Sequence, residues 1–155
     1  MGSALRLTDL MCGGGLTLAT TIFNTMVVHH HTILIATVRR PSAKIECGDL
    51  EQFLHRLVKR IGMQELFKPI AIHGKYGFTG IVGIVTSHIA FHYFEEDHTL
   101  HFDVYSCKPY DIDTLLKFID EYWGIEHGEI LFVDRETLFD VKRYSYSAGR
   151  LAEVR

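Results

Sequence analysis

Cysteine is scarce in this chain. Cys12, Cys47 and Cys107 are the only three in 155 residues. An odd count with no C-x-x-C spacing argues against a disulfide framework and against a structural zinc knuckle. Reduced thiols in a cytoplasmic protein fit it better. Charge of one sign is also lacking. The formal net charge is −3, so no basic footprint recommends nucleic acid as a partner, and an acid-leaning surface repels anionic membranes. No uninterrupted apolar run reaches the roughly 20 residues of a membrane span. The charge-free stretch from Leu10 to Val28 is diluted by Gly13, Gly14, Gly15, several threonines and Asn24. Arg6 and the Leu/Thr mixture after it make a poor secretion signal. Residues 1–30 therefore read as a poorly ordered N-terminal extension. Gly74, Gly77 and Gly80 fit no nucleotide-binding fingerprint, and no H-E-x-x-H occurs.

What is present describes one folded domain over residues 31–155. Apolar residues make up 47% and aromatic residues 12% of the chain, which suits a packed core and not a disordered polymer. Thr32–Val38 is β-branched and predicts a buried strand. Asp49 reads as a helix N-cap. Leu50, Phe53, Leu54, Leu57, Val58 and Ile61 follow at helical spacing, and Gly62 and Pro69 end the pattern. Short strands are expected at 69–72, 80–86, 87–94 and 99–106. A second helix starts at Asp111 or Asp113. It buries Leu115, Leu116, Ile119, Tyr122 and Trp123 and stops at Gly124. A strand at 129–133 follows, and residues 136–155 form a tail or edge element. The order β-α-β-β-β-β-α-β has too few crossovers for a doubly wound sheet. It predicts an α+β, two-layer sandwich, with two helices on one face of a mainly antiparallel sheet. The other face needs a cover, and dimerisation supplies one.

The chemistry concentrates between His73 and Cys107. Ser87 stands at a strand boundary, His92 five residues on and Cys107 twenty residues on. Residues an odd number apart point to opposite faces of a strand. Ser87 and His92 therefore meet only if the chain bends between them. A strained bend at a serine lets its hydroxyl face the preceding carbonyl, the geometry of an N→O acyl shift.

The segment TGIVGIVTSHIAFH, with Glu96 and Cys107, resembles the prokaryotic type of S-adenosylmethionine decarboxylase proenzyme. That family carries E-S-H-I-x-x-H-T-W-P-E and a cysteine near the end of the next strand. The serine–histidine and serine–cysteine spacings match, and the likeness spans about residues 31–134. The resemblance implies self-cleavage between residues 86 and 87. The Ser87 hydroxyl would attack the Thr86 carbonyl to give an ester. Elimination, with His92 taking the serine α-proton, and hydrolysis would leave a pyruvoyl group derived from Ser87. Thr79 stands where the family has a serine that aids processing.

The resemblance further implies that the pyruvoyl cofactor forms a Schiff base with a small-molecule amine substrate and accepts the electrons left when CO₂ departs. Cys107 would protonate the resulting carbon, since a thiol of ordinary pKa ~8.5 can deliver a proton near neutrality. Glu96 falls on the glutamate that binds ribose hydroxyls, His73 on an adenine-stacking phenylalanine, and Phe94 in the Trp-Pro-Glu stretch. The scissile bond, Glu-Ser in the family, is Thr86–Ser87 here, and Cys-Gly is Cys107-Lys108. The implied activity is S-adenosylmethionine decarboxylation for spermidine synthesis by a cytoplasmic homodimer of processed protomers. The altered pocket also suits a pyruvoyl-dependent ornithine or arginine decarboxylase, or an unprocessed, non-catalytic relative. A rival from another class is a metal enzyme using His88, His92, His98, His101 and Asp103. The run His29-His30-His31 reads as a strand border.

Overall fold

The computed structural model describes residues 28–39, 41, 43–85, 87–135 and 140–154. Most of the expected N-terminal extension lies outside them, as does Thr86. Eight strands form one antiparallel sheet: β1 (His30–Val38), β2 (Ile70–His73), β3 (Gly77–Ile84), β4 (Ser87–Phe94), β5 (Thr99–Ser106), β6 (Ile125–Asp134), β7 (Asp140–Ser147) and β8 (Arg150–Val154). Their order is β2-β3-β4-β5-β1-β6-β7-β8. Helices α1 (Cys47–Arg60) and α2 (Ile112–Trp123) pack on one face. This is the α+β two-layer sandwich that the spacing of apolar residues predicts.

Alternation decides the layers. In β1, Leu34, Ala36 and Val38 are buried; in β4, Ile89, Phe91 and Tyr93; in β5, Leu100, Phe102 and Val104. These side chains meet the helix stripes Leu50/Phe53/Leu54/Leu57 and Leu115/Leu116/Ile119. Phe53 is the hub. Its ring lies 4.5 Å from Tyr122, 5.7 Å from Phe118, 6.2 Å from Phe102 and Trp123, and 6.4 Å from Phe91, measured between centroids. Gly80 has a packing reason, because a Cβ there would overlap the Phe91 ring.

The helix ends differ in chemistry. Asp111 caps α2 by accepting from the Thr114 N–H at 2.9 Å, and Gly124, at φ 65°, closes it in the left-handed region. Helix α1 begins two residues before Asp49. Its N-cap is Glu46, whose side chain makes no capping bond, and Asp49 serves in the first turn, where a carboxylate complements the helix dipole. Three strands start earlier than expected: β1 at His30, β3 at Gly77 and β6 at Ile125. The tail is an edge hairpin, β7–β8, turned by Ala148 (φ 49°) and Gly149 (φ 73°), two consecutive left-handed residues as in a type I′ turn. Asp120 anchors it by accepting from the Ile125 N–H at 2.7 Å and the Tyr146 hydroxyl at 3.1 Å. Burial, then Asp120, pushes the Tyr146 phenol up to about 12. The periodicity there is weak because most of β7 is exposed on both faces.

The second face of the sheet has no layer over it among the described residues. Ile35, Ile70, Ile72, Ile81, Val141 and Val154 project from it, and Ile72 is 63% exposed. No helix of the described residues is long and apolar enough to cross a membrane.

Phe53→Ala should remove the hub of the core and cost about 3–5 kcal/mol, as large aromatic-to-alanine truncations do. Denaturant unfolding measures it, and a loss below about 1 kcal/mol would show that the core closes without this ring.

Candidate active site

The register of β3, β4 and β5 places the chemistry. Ile84 pairs with Ser87, so only Val85 and Thr86 connect β3 to β4. Ser87 is the first residue of β4 and is half-buried. Its Oγ accepts the backbone N–H of Cys107 at 2.9 Å. Cys107 directly follows β5, and pairing of His88 with Tyr105 brings the two residues side by side. Serine and cysteine, twenty residues apart, are thus neighbours.

His92 is not with them. Strand β4 pairs with both neighbours without a register shift, so no bulge turns the chain. Ser87 keeps the parity of the core face and His92 that of the open face. The five intervening steps separate them by roughly 16 Å. The bend needed to join them within one chain does not occur among the described residues. His92 sits instead across from Thr79, whose Oγ1 lies 2.9 Å from its Nδ1.

The expected substrate residues cluster at this far end. Phe94 ends β4 on the open face, 6.4 Å from the His92 ring and 5.4 Å from His101. Glu96 lies in the exposed turn after it, lining a cavity of about 420 Å³ with Lys75, Tyr76, Phe94, Glu95 and Asp97. His73 pairs with Phe78 in register and packs on its ring at 4.4 Å, so it takes the core side of the sheet edge. Its Nε2 lies 2.9 Å from Glu95 Oε2.

The histidine set proposed as metal ligands is dispersed. His88 and His92 share a face, but four strand residues span roughly 13 Å, too far for one ion. His88 Nε2 donates to Asp103 Oδ1 at 3.2 Å, and His98 Nδ1 meets the Tyr93 hydroxyl at 2.8 Å. No three such groups among the described residues are arranged to hold a metal.

Sequence reading missed a network beside the serine. Asp103 accepts from His31 Nε2 at 2.7 Å as well as from His88. Burial works to raise its pKa, but the His31 hydrogen bond and charge, with His88, prevail and hold it below the ordinary carboxyl value. Tyr105, in the same strand, has the rings of His29, His31 and His88 around it and the Arg135 guanidinium 5.4 Å above. The histidine run is a strand border, as read, but its partners depend on the pairing of β1 with β5, which spans more than 70 residues of sequence.

Asp103 should make the fold acid-sensitive. Its folded pKa lies below the unfolded value near 3.9. Its stabilisation is therefore complete above about pH 5 and fades as pH falls through the folded value. Urea midpoints of the natural chain and Asp103→Asn should converge between about pH 6 and about pH 3. A constant or growing gap would contradict this role.

The S-adenosylmethionine decarboxylase family model matches residues 43–136, more than half of the chain. No curated protein matches it. Among solved structures, the crystal structure of the adenosylmethionine decarboxylase from Aquifex aeolicus is similar, with a TM-score of 0.57 at 17% identity. The match covers 68% of this chain and 88% of that one. That identity carries the fold alone, and the family match carries the rest: the chain belongs to the S-adenosylmethionine decarboxylase family.

Proposed function

We propose that this chain is a self-processing, pyruvoyl-dependent decarboxylase acting on S-adenosylmethionine, which supplies aminopropyl groups for spermidine synthesis. The observation that supports this best is the contact of Ser87 Oγ with the Cys107 N–H at 2.9 Å, at the start of the strand where cleavage is expected. The residues fit the group they would generate. The serine stands at a two-residue connection, its oxygen is held by a backbone donor, and a thiol belongs to the same donor residue.

In processing, Ser87 Oγ attacks the Thr86 carbonyl, and the peptide becomes an ester. A base then takes the Ser87 α-proton, the Thr86 carboxylate leaves, and water replaces the nitrogen, which departs as ammonia. The carbonyl so formed supplies an electron sink for decarboxylation. Cys107 holds the proton destined for the substrate carbon. Glu96 accepts substrate hydroxyls and Phe94 bounds the substrate end from the open face, while His73 takes the core side of the sheet.

His92 is the base of the family resemblance, yet it stands roughly five residues from Ser87 on the other face. A second copy removes the distance. The open face carries isoleucines and valines that a partner would bury, and two such faces stacked about a two-fold axis set the Ser87 end of one over the His92 end of the other. In this reading the protein is a homodimer, and Thr79 and His92 serve the partner's serine. The cysteines Cys47 and Cys107 suit a reducing, cytoplasmic setting.

One observation favours a second substrate. His73 is turned to Glu95 and Phe78 and not to His92, which suits recognition of a basic amino acid, ornithine or arginine, by an acidic turn.

Three outcomes test the reading. Ser87→Ala should remain a single chain and release no ¹⁴CO₂; turnover by that variant contradicts the mechanism. Cys107→Ala should cleave but lose about a hundredfold in turnover, the size of a lost general acid, and full turnover removes the proton-donor role. Co-expressed Ser87→Ala and His92→Ala chains should restore cleavage of the His92→Ala chain, because one composite site is intact; no restoration places both groups in one chain. Comparing S-adenosylmethionine, ornithine and arginine as ¹⁴CO₂ sources assigns the substrate.

A further inference from the structure

The His29–Tyr105 pair lies beside the thiol and has no part in the chemistry described so far. His29 Nδ1 lies 3.6 Å from Cys107 Sγ, the Tyr105 hydroxyl lies 3.7 Å from the same sulfur, and the hydroxyl and Nδ1 are 2.7 Å apart. All three contacts fall within hydrogen-bond reach and close a triangle. Thiol, phenol and imidazole can each give and take a proton across these contacts.

The surroundings hold this triangle in place. The His29 ring stacks on Tyr105, with centroids 6.2 Å apart and planes at 20°. The Arg135 N–H donates to the His29 carbonyl at 3.0 Å, and the Arg135 guanidinium lies over the Tyr105 ring. His31 and His88 flank that ring, with Asp103 bonded to both. Lys108 directs its ammonium away, to the Gly62 carbonyl at 2.9 Å. The hydrogen bond with Cys107, then burial and the thiol's charge, raises the Tyr105 phenol against the opposing Arg135, which keeps the phenol protonated at neutral pH.

We propose that His29 and Tyr105 are positioning residues for the Cys107 thiol, aiming it and returning its proton after each turnover. This rests on the proton-donor role given to Cys107 above. The balance is simple. Loss of CO₂ from a carboxylate consumes one proton. The thiol gives that proton to the substrate carbon and keeps the electron pair as thiolate. Tyr105 passes its O–H proton to sulfur and takes a proton from His29 Nδ1, which solvent then replaces. One solvent proton enters for each CO₂ released, and nothing is oxidised or reduced.

The test uses the full chain with Ser87→Ala, so that no pyruvoyl group is needed. Iodoacetamide alkylation of Cys107 is followed peptide by peptide at mildly acidic pH, with Cys47 as internal control. Because neighbouring cationic and hydrogen-bonding groups support a thiolate, His29→Gln should slow the reaction about fivefold and Tyr105→Phe about threefold. Cys47 should be unchanged. Equal Cys107 rates in all three proteins overturn the proposal. In the processed enzyme, Tyr105→Phe should lower kcat about tenfold with KM unchanged, and an unchanged kcat also overturns it. A natural chain that never cleaves overturns the decarboxylase reading instead, and the alkylation rates alone then decide the coupling.

Discussion

One backbone hydrogen bond orders the rest: the Cys107 amide to the Ser87 hydroxyl. It joins a residue that opens β4 to one that follows β5, and it exists only while those strands keep their register. A slip of one residue would turn every side chain of β4 to the other face. The core forbids that slip. Phe91 stacks on Phe102 at 5.8 Å with planes 12° apart, and Ile89 opposite Val104 and Tyr93 opposite Leu100 are all buried. Helix α1 presses Phe53 onto the Phe91–Phe102 pair, so the hydrophobic layer fixes the position of the polar contact from below.

The two faces of the sheet carry different loads. The helix face is apolar and closed. The open face mixes exposed aliphatic side chains with histidines, Asp103, Tyr105 and the thiol. Such a face is costly to leave in water and too polar for a second hydrophobic layer. It suits an identical copy, where the aliphatic rows bury one another and the polar groups converge. The separation of Ser87 from His92 along one unbroken strand supports the same proposal, in which a two-fold axis would complete both halves of the machinery at once.

Most of the architecture was legible because periods of two and of three to four residues are written locally. The helix stripes, the Asp111 cap and the Gly124 stop are contained in a few turns of sequence. The edge hairpin was not legible, since β7 is largely exposed and shows no alternation. Asp49 misled as a cap because caps and first-turn acids share a residue type. At the site, the spacing from Ser87 to Cys107 was informative because one hairpin, β4–β5, joins them. The grouping of His29 and His31 with Tyr105 and Asp103 depends on β1 inserting beside β5, a long-range pairing that no local pattern encodes. The odd spacing of Ser87 and His92 did carry the correct message, that they point to opposite faces, and the bend invoked to reunite them does not occur because β4 pairs on both sides without a register shift.

The central claim is that the peptide bond before Ser87 is exchanged for a ketone. Intact-mass analysis of the unaltered purified protein tests it most directly. The account predicts two polypeptides, residues 1–86 and residues 87–155, the second lighter by one ammonia than a serine-initiated chain and refractory to N-terminal sequencing. A single polypeptide of full mass, or a second fragment with a free serine terminus, would contradict it.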